Sequence, residues 1–499
     1  EVDLIRNLLL AGVSLSSVCA FIAAHIQLPG IIGQRGIFPV EETLETVKEY
    51  LFQIKEKKSL TLTEKIMNGL LTLVYEKYHT TGDYTKHIKR IAQIDIVLSL
   101  VSLIYPHPLL FLYQFVSYYA IKRVGGRFFN FQWDALLLET LILTTILSMS
   151  YDSVTNKIGV WIFKILLFRL MIGSGIVKYY SGDGSWSKDY TAMSFHFLTQ
   201  PLPNQLGMYV YNNLSNVGFK AMTIGTLVVE GIVPLLPFTT LRCMNILTSV
   251  LYILLQLSIS ATGYYGFFNY HTIVLSLSLL DDSIVTGIMR IILGNTLIAR
   301  ILEVLSIHSY YSATARVRVF TLFGLLGRLV CCSVIYPALV VVFCADLVAL
   351  QLLIEQTELV DGSISSSSIS TDWTYVDQQA YLYLCRVCEG MLSLYETISH
   401  TLFLGSHYGL FAHMTKIRNE LIIEVSNDKT HWNSVEFLAK PGDPDLPPKV
   451  LHPLFHLPRV DWVFWFLAFK PSMEQLPKWF WNLVVSILEG DNVEVLGLL

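Results

Sequence analysis

Charge is scarce in this chain. Only 15% of its 499 residues are Asp, Glu, Lys or Arg, against 53% hydrophobic, and the mean hydropathy is +0.51. Soluble domains carry about 25% charged residues, so the composition excludes that class and reads as an integral membrane protein. The net charge of −4 leaves no concentrated basic surface to neutralise phosphates, which excludes nucleic acid as a partner. Catalytic signatures are lacking too: no phosphate-binding loop, dinucleotide fingerprint, zinc-protease helix or serine-hydrolase elbow occurs in a convincing context, and no cofactor is called for. Cysteine is sparse. The seven are Cys19, Cys243, Cys331, Cys332, Cys344, Cys385 and Cys388, mostly in apolar runs where a thiol behaves as a small hydrophobe, and they form no disulfide framework. Cys385 and Cys388 make a C-x-x-C, readable as a redox pair, as half a zinc site or as helix packing. No second pair or nearby His cluster completes a metal set, so no metal site is expected.

What the chain has is long apolar runs. A bilayer core needs about 20 apolar residues per spanning helix. Residues 8–24 read as a first membrane helix, with a signal peptide as the alternative, although a clear basic flank and a small-residue cleavage site are both missing. A polar stretch, 33–90, follows and can hold amphipathic helices. Two apolar runs, 94–105 and 108–121, are split at Pro106 and Pro108 and read as a tight hairpin or two half-inserted helices. Further runs occupy 133–149, 161–180, 219–238, 244–263, 267–280, 284–305 and 320–354.

The expected fold is an all-α multi-pass membrane helical bundle of about eight to ten membrane segments with a small C-terminal α+β domain. Residues 1–360 would form the transmembrane domain, 361–374 a Ser-rich linker containing DGSISSSSISTD, and 375–499 the mixed domain. In that domain NELIIEVS and NSVEFLAK flank NDKTHW, the pattern of two short strands and a turn. RVDWVFWFLAF and LPKWFWNLVVSILEG read as Trp-rich amphipathic helices lying on a membrane surface or docked on the bundle.

Charged residues at membrane depth cost roughly 2.5–3.5 kcal/mol and so face partners inside the bundle. Asp134 and Glu139 lie in one helix, Lys164 and Arg169 in the next, and Glu230 in another. A carboxylate and a guanidinium on adjacent helices can pair in bidentate geometry. Such a set is a ligand- or proton-handling site or, as the favoured reading, an ion-pair clasp that fixes helix register; Lys178, near a helix end, would snorkel. Gly173 and Gly175 follow Arg169 at helical spacing and allow close approach of a neighbour. Gly182, Asp183 and Gly184 signal a turn, Trp186 suits an interfacial anchor, and two X-Pro bonds stiffen the loop that carries Gln200, Pro201 and Asn204. His196 in this loop reads as a packed or hydrogen-bonded side chain rather than a general base.

Basic residues at 55–58, 86–90 and 122–127 put loop 181–218 on the cytoplasmic side if they obey the positive-inside rule, whereas the glycosylation pattern at Asn213 would need the luminal side. Either one span is miscounted or the sequon is idle.

The ordered series FNFQWDALLLE, FRLMIGSGIVKYYSGDGSW, TQPLPN, LVVEGIVPLLPF and GYYGFFNYHTIVLSLSLLDD, resumed by YGLFAHMTKIRNELIIEVSNDKTHWNSVEFLAKPGD, PRVDWVFWFLAF and ILEGD, resembles the lipase maturation factor family. It covers most of 125–499 apart from 285–405, and includes the tail motif around Asp461 and Trp462. The resemblance implies a multi-pass endoplasmic reticulum protein that assists folding and assembly of secreted homodimeric lipases, without a catalytic residue set. A distant similarity to the membrane domain of vitamin K-dependent carboxylases keeps an enzyme reading open. In a loop where family members commonly carry cysteines, this chain has Ser185 and Ala192, which removes a thiol role there. The implied partners are client lipases, or other membrane subunits, together with membrane lipids. Two alternatives stand beside this expectation: a non-catalytic structural or lipid-binding subunit of a larger assembly, such as a respiratory complex of the mitochondrial inner membrane, and an intramembrane enzyme or transporter.

Overall fold

The computed structural model describes residues 4–291 and 405–499, except 58, 150–152, 240, 407, 444 and 450–456. The linker 361–374, the apolar run 320–354, most of 284–305 and the Cys385/Cys388 pair therefore lie outside the described residues.

The N-terminal half is helical throughout. Helix α1 (Leu4–Ile32) is the axis, packed by α4 (Tyr84–Ile104), α6 (Gln132–Ser148) and α13 (Phe268–Ser276). The polar stretch between α1 and α4 folds, as its composition suggests, into two amphipathic helices, α2 (Val40–Glu56) and α3 (Leu62–Tyr78). Thr61 and Glu64 close a reciprocal capping box at the start of α3. α5 (Pro108–Val124) begins with proline at its first position, where the missing N–H would have had no partner, so Pro106 and Pro108 make the sharp joint after α4. The chain then runs through α7 (Ser153–Tyr180), the short α8 (Gly184–Ser187), α9 (Ala192–Thr199) and α10 (Gln205–Asn213) into α11 (Asn216–Gly231) and α12 (Arg242–Thr262).

Among the described residues, four segments are long and apolar enough to cross a membrane: Leu4–Ile32, Asn156–Tyr180, Asn216–Thr239 and Arg242–Thr262. A fifth results if Phe268–Leu279 and Asp282–Ile291, which meet at 117°, count as one bent span. The expected eight to ten segments are thus corrected downward for the described residues. The runs around 108–121 and 133–149 form helices of only 17 residues, about 26 Å at 1.5 Å per residue, short of a hydrocarbon core of about 30 Å. α6 is apolar for another reason: every residue except Gln132 and Ile142 is buried inside protein. The first turns of α4 carry Lys86, His87, Lys89 and Arg90.

Lipid is as apolar as leucine, so helices in a bilayer associate through close packing and polar contacts. Ser102 of α4 donates to Ser14 of α1 at 3.0 Å. His271 of α13 bridges Ser16 of α1 at 2.8 Å and Thr140 of α6 at 2.9 Å.

The C-terminal region has the expected hairpin in miniature. Strands β1 (Glu424–Val425) and β2 (Asn433–Ser434) pair antiparallel, Glu424 opposite Ser434. Helices α14 (Arg459–Leu467), α15 (Lys478–Glu489) and α16 (Val493–Leu496) dock on the bundle rather than standing apart from it. The Trp479 ring meets Phe128 edge-on at 5.0 Å, Asn482 donates to the Ile37 carbonyl at 2.9 Å and Asn492 to that of Arg35 at 2.6 Å.

Candidate functional site

Three buried ion pairs lie where the sequence placed its isolated charges, with partners that differ in part from expectation. Arg169 on α7 pairs with Glu139 on α6 at 2.6 Å, the carboxylate–guanidinium match expected of adjacent helices. Glu139 also accepts from the Gly405 N–H at 3.1 Å and the Tyr408 hydroxyl at 2.7 Å, so this pair already ties the C-terminal region to the bundle. Asp134 does not join Lys164 or Arg169. It takes a bidentate fork from Arg459, at 2.7 and 2.9 Å, and a hydrogen bond from Tyr118 at 2.6 Å. Arg459, 1% exposed, also donates to the Phe128 carbonyl and lies 3.9 Å over the Phe129 ring. Lys164 is half-buried over the Trp161 ring at 5.6 Å.

Lys178 corrects the snorkelling expectation. It is 3% exposed and pairs with Glu230 of α11 at 2.6 Å, with its ammonium 5.5 Å over Trp186. A snorkelling lysine reaches water because it has no interior partner; here the neighbouring span supplies one. Gly175 makes this possible, and Gly173 admits a second close neighbour. A Cβ on Gly175 would lie 2.7 Å from the Glu230 backbone, and one on Gly173 would lie 2.7 Å from the Tyr408 carbonyl. Gly175→Ala should therefore push α7 off α11 and destabilise by about 1–3 kcal/mol, read as a lower thermal midpoint in detergent; an unchanged midpoint would show that the approach is not tight.

The loop after α7 is held from both sides. Gly182 takes φ +74, the left-handed conformation that suits glycine. Asp183 caps α8 through the Ser185 N–H at 2.9 Å and accepts the Met414 N–H at 2.7 Å. Partial burial raises the Asp183 pKa, but these two N–H groups outweigh it and hold the carboxyl below its ordinary range. Trp186, expected at an interface, is instead 1% exposed and donates to the Phe411 carbonyl at 3.0 Å; the C-terminal chain covers it. Gln200 donates to the Thr262 carbonyl at 2.9 Å and Asn204 to that of Ala261 at 2.8 Å, fastening the stiff TQPLPN segment to the end of α12. Arg418 grips the carbonyls of Leu198, Gln200 and Pro201. Ser185 and Ala192 are both buried in this loop. Asn213 ends α10 at the surface.

Between α7, α9, α11 and α12 lies a cavity of about 450 Å³ whose walls include the Lys178–Glu230 pair, His196 and Gln256. His196 stands 3.3 Å from the Tyr265 hydroxyl; burial, helped by the Lys178 charge, pushes its pKa down to about 4, so the ring is neutral at physiological pH. This supports the packed, hydrogen-bonded reading. Among the described residues no group of three or more His, Cys, Asp or Glu could hold a metal ion.

The tail motif is structural in its contacts. Asp461 accepts the N–H groups of Ala439 and Lys440, both at 2.7 Å, and Trp462 meets Trp133 edge-on at 5.2 Å and Tyr265 at 5.6 Å. Burial raises Asp461 from 3.8 to about 6 despite those N–H groups. With the folded value above the unfolded one, its contribution to stability is complete below pH 3.8 and is lost as pH rises through 6. Asp461→Asn should thus gain on wild type between about pH 4 and about pH 7, while Asp461→Ala, which strands two buried N–H groups, should cost about 1–3 kcal/mol. Thermal midpoints of the three proteins across that range check both; a pH-independent gap would contradict the first.

Sequence reasoning missed Arg459 and one further pair, Lys77 with Asp95 at 3.0 Å. Arg459 opens the Trp-rich segment directly after Pro458, at the edge of a helix whose aromatic residues suggested a membrane surface rather than membrane depth. Asp95, in contrast, interrupts an apolar run and could have been singled out by the rule that picked Asp134.

Residues 4–287 match the family model described as the lipase maturation factor transmembrane domain, and 404–499 match that of the lipase maturation factor C-terminal domain. The chain is 28% identical to Lipase maturation factor 2 of Mus musculus, covering 98% of this chain and 75% of that one. It is 29% identical to Lipase maturation factor 2 of Xenopus tropicalis, covering 99% and 74%. Against Lipase maturation factor 1 of Mus musculus it is 28% identical, covering 99% and 78%. No solved structure matches it. With both domains matched in order, the first over more than half of its length, this membrane protein belongs to the lipase maturation factor family.

Proposed function

We propose that this protein is a maturation factor of the endoplasmic reticulum membrane that helps secreted homodimeric lipases fold and assemble, without catalysing a reaction itself. The observation that carries the reading is the match of one chain, in order, to both the transmembrane and the C-terminal domain of the family. The buried charges fit a structural task. Each of the three pairs, Glu139–Arg169, Asp134–Arg459 and Lys178–Glu230, joins separate elements and is surrounded by hydrogen bonds or an aromatic face, the pattern of a clasp that fixes register. The motif-loop residues Gly182, Asp183, Trp186, Gln200, Pro201 and Asn204, with Asp461 and Trp462, act in this reading as the joint between the two domains. Surfaces of the C-terminal region would meet the client.

Loss of the gene in its native cells should lower secreted lipase activity while leaving lipase messenger levels unchanged, and restoring the chain should recover the activity. Unchanged activity would overturn the proposal. A second reading, a structural subunit of a larger membrane complex, draws on Ser185 and Ala192, which stand in the loop where the resemblance to the family implies cysteines. Purification in mild detergent separates the two: stable migration with one large complex supports the subunit, and a free protein opposes it.

A further inference from the structure

The cavity between α7, α9, α11 and α12 holds one polar atom that the clasp reading leaves unused, a ring nitrogen of His196. We propose that the cavity binds a membrane-soluble neutral alcohol with an apolar chain of about ten to twelve carbons, whose hydroxyl donates to His196 Nδ1.

The acceptor follows from the direction of three hydrogen bonds. The Gln200 amide nitrogen donates to the Thr262 carbonyl at 2.9 Å, which turns the amide oxygen toward Tyr265, and the Tyr265 hydroxyl donates to that oxygen at 3.2 Å. A phenol has one proton to give. At 3.3 Å, His196 Nε2 is therefore the donor to the Tyr265 oxygen. The ring is neutral, since burial lowers its pKa to about 4, so Nδ1 carries a lone pair. Nδ1 meets no donor among the described residues, yet it keeps accessible surface. The space it opens onto is the cavity, which His196 lines.

An open acceptor in this place selects its ligand. A carboxylate or phosphate brings no proton and leaves Nδ1 unpaired, which is costly away from water. An ammonium brings protons but meets the Lys178 charge, the same charge that disfavours a proton on the ring. Lys178 and Glu230 neutralise each other at 2.6 Å, so an ionised headgroup would have to split that pair to gain a partner of its own. A neutral hydroxyl has none of these defects.

Size and access set the rest of the molecule. A volume of about 450 Å³ lies within the range of about 300–1,000 Å³ typical of small-molecule sites. At about 30 Å³ per heavy atom it takes about fifteen, which fits a medium-length alcohol and is too little for a membrane lipid. Leu170, Met171, Leu251 and Leu255 line the space, and methionine adapts its shape to a flexible chain. Entry is from the bilayer. Gly225 of α11 and Leu254 and Ser258 of α12 line the cavity and are exposed at the same time. Both helices are spans by length and composition, so their exposed sides face acyl chains rather than water. A Cβ built on Gly225 would meet nothing within 4 Å, so the gap is open at that level.

The test uses the full-length protein in detergent and a photoactivatable decanol with a diazirine at its chain end, displaced by unlabelled decanol or by decyl methyl ether, which keeps the chain and lacks the proton. Label should map by mass spectrometry to the peptides of α7, α11 and α12 that line the cavity. Decanol should displace it at an about fivefold lower mole fraction in the micelle than the ether. His196→Phe, which keeps a ring and removes the acceptor, should bring the two competitors level. Gly225→Phe, which places a ring in the gap, should cut labelling about tenfold at an unchanged melting temperature. Label spread evenly over the helices, or equal labelling of wild type and a folded Gly225→Phe, overturns the site. Equal displacement from wild type by decanol and the ether, or an unchanged preference in a folded His196→Phe, overturns the assignment to His196. Should either variant melt early, mapping and competition on wild type decide alone.

Discussion

Replacing Arg459 by leucine should destabilise the protein by about 3–5 kcal/mol and loosen α14 from the membrane domain. The estimate follows from what is left behind. Asp134 is fully buried at the start of α6, and its two oxygens receive both forks of the guanidinium. Without the arginine it keeps the Tyr118 hydroxyl at 2.6 Å and the Phe131 N–H at 3.2 Å, which hydrogen-bond the carboxylate but do not neutralise it. The arginine also anchors its own helix. Its backbone N–H donates to Gln27 of α1, whose amide reaches the Leu457 carbonyl, so one residue links α1, α6 and α14. Adding Asp134→Asn should recover much of the loss, since it removes the stranded charge and keeps an acceptor for Tyr118. Thermal midpoints of the wild type, the two single variants and the double variant give the measurement; additive losses would contradict the assignment of the pair.

Lys178→Met should cost a similar amount, about 3–5 kcal/mol, by leaving Glu230 charged inside the bundle. The double variant Lys178→Met, Glu230→Met should recover most of it, because a buried pair replaced by apolar side chains of similar volume is often neutral in stability. The same variants separate the clasp from an intramembrane enzyme or transporter. Under the clasp reading the single variant lowers the amount of folded protein and the double variant restores lipase maturation along with stability. A double variant that folds normally and has lost all function would show that the charges themselves are needed.

The fold and the site were legible in different degrees, for physical reasons. Glu139 and Arg169 could be matched from sequence because they sit on consecutive helices, where connection length leaves little choice of neighbour. Asp134 could be recognised as needing a partner, but Arg459 lies 325 positions away, in a segment whose aromatic residues suggested surface helices. Lys178 was misassigned because its place near a helix end resembles snorkelling; only the approach of α11, set by Gly175, brings Glu230 within reach. Trp186 looked like an interfacial anchor for the same reason, since nothing local indicates that Phe411 will cover it. Among the described residues, span number was overcounted because apolar composition does not distinguish a helix buried in protein, such as α6, from one buried in lipid. The hairpin around NDKTHW was readable from alternation and turn residues alone, both of which are local signals.

The central claim is that the membrane domain and the C-terminal domain form one unit, joined by Asp134–Arg459, by Glu139 with Tyr408, and by the loop from Gly182 to Asn204. Its most direct test is a protease site inserted into the serine-rich stretch 361–372, cleaved after purification in mild detergent. The account predicts that the C-terminal fragment stays bound to the membrane domain through affinity capture and gel filtration, and that Arg459→Leu releases it. A wild-type fragment that separates on cleavage would contradict the account.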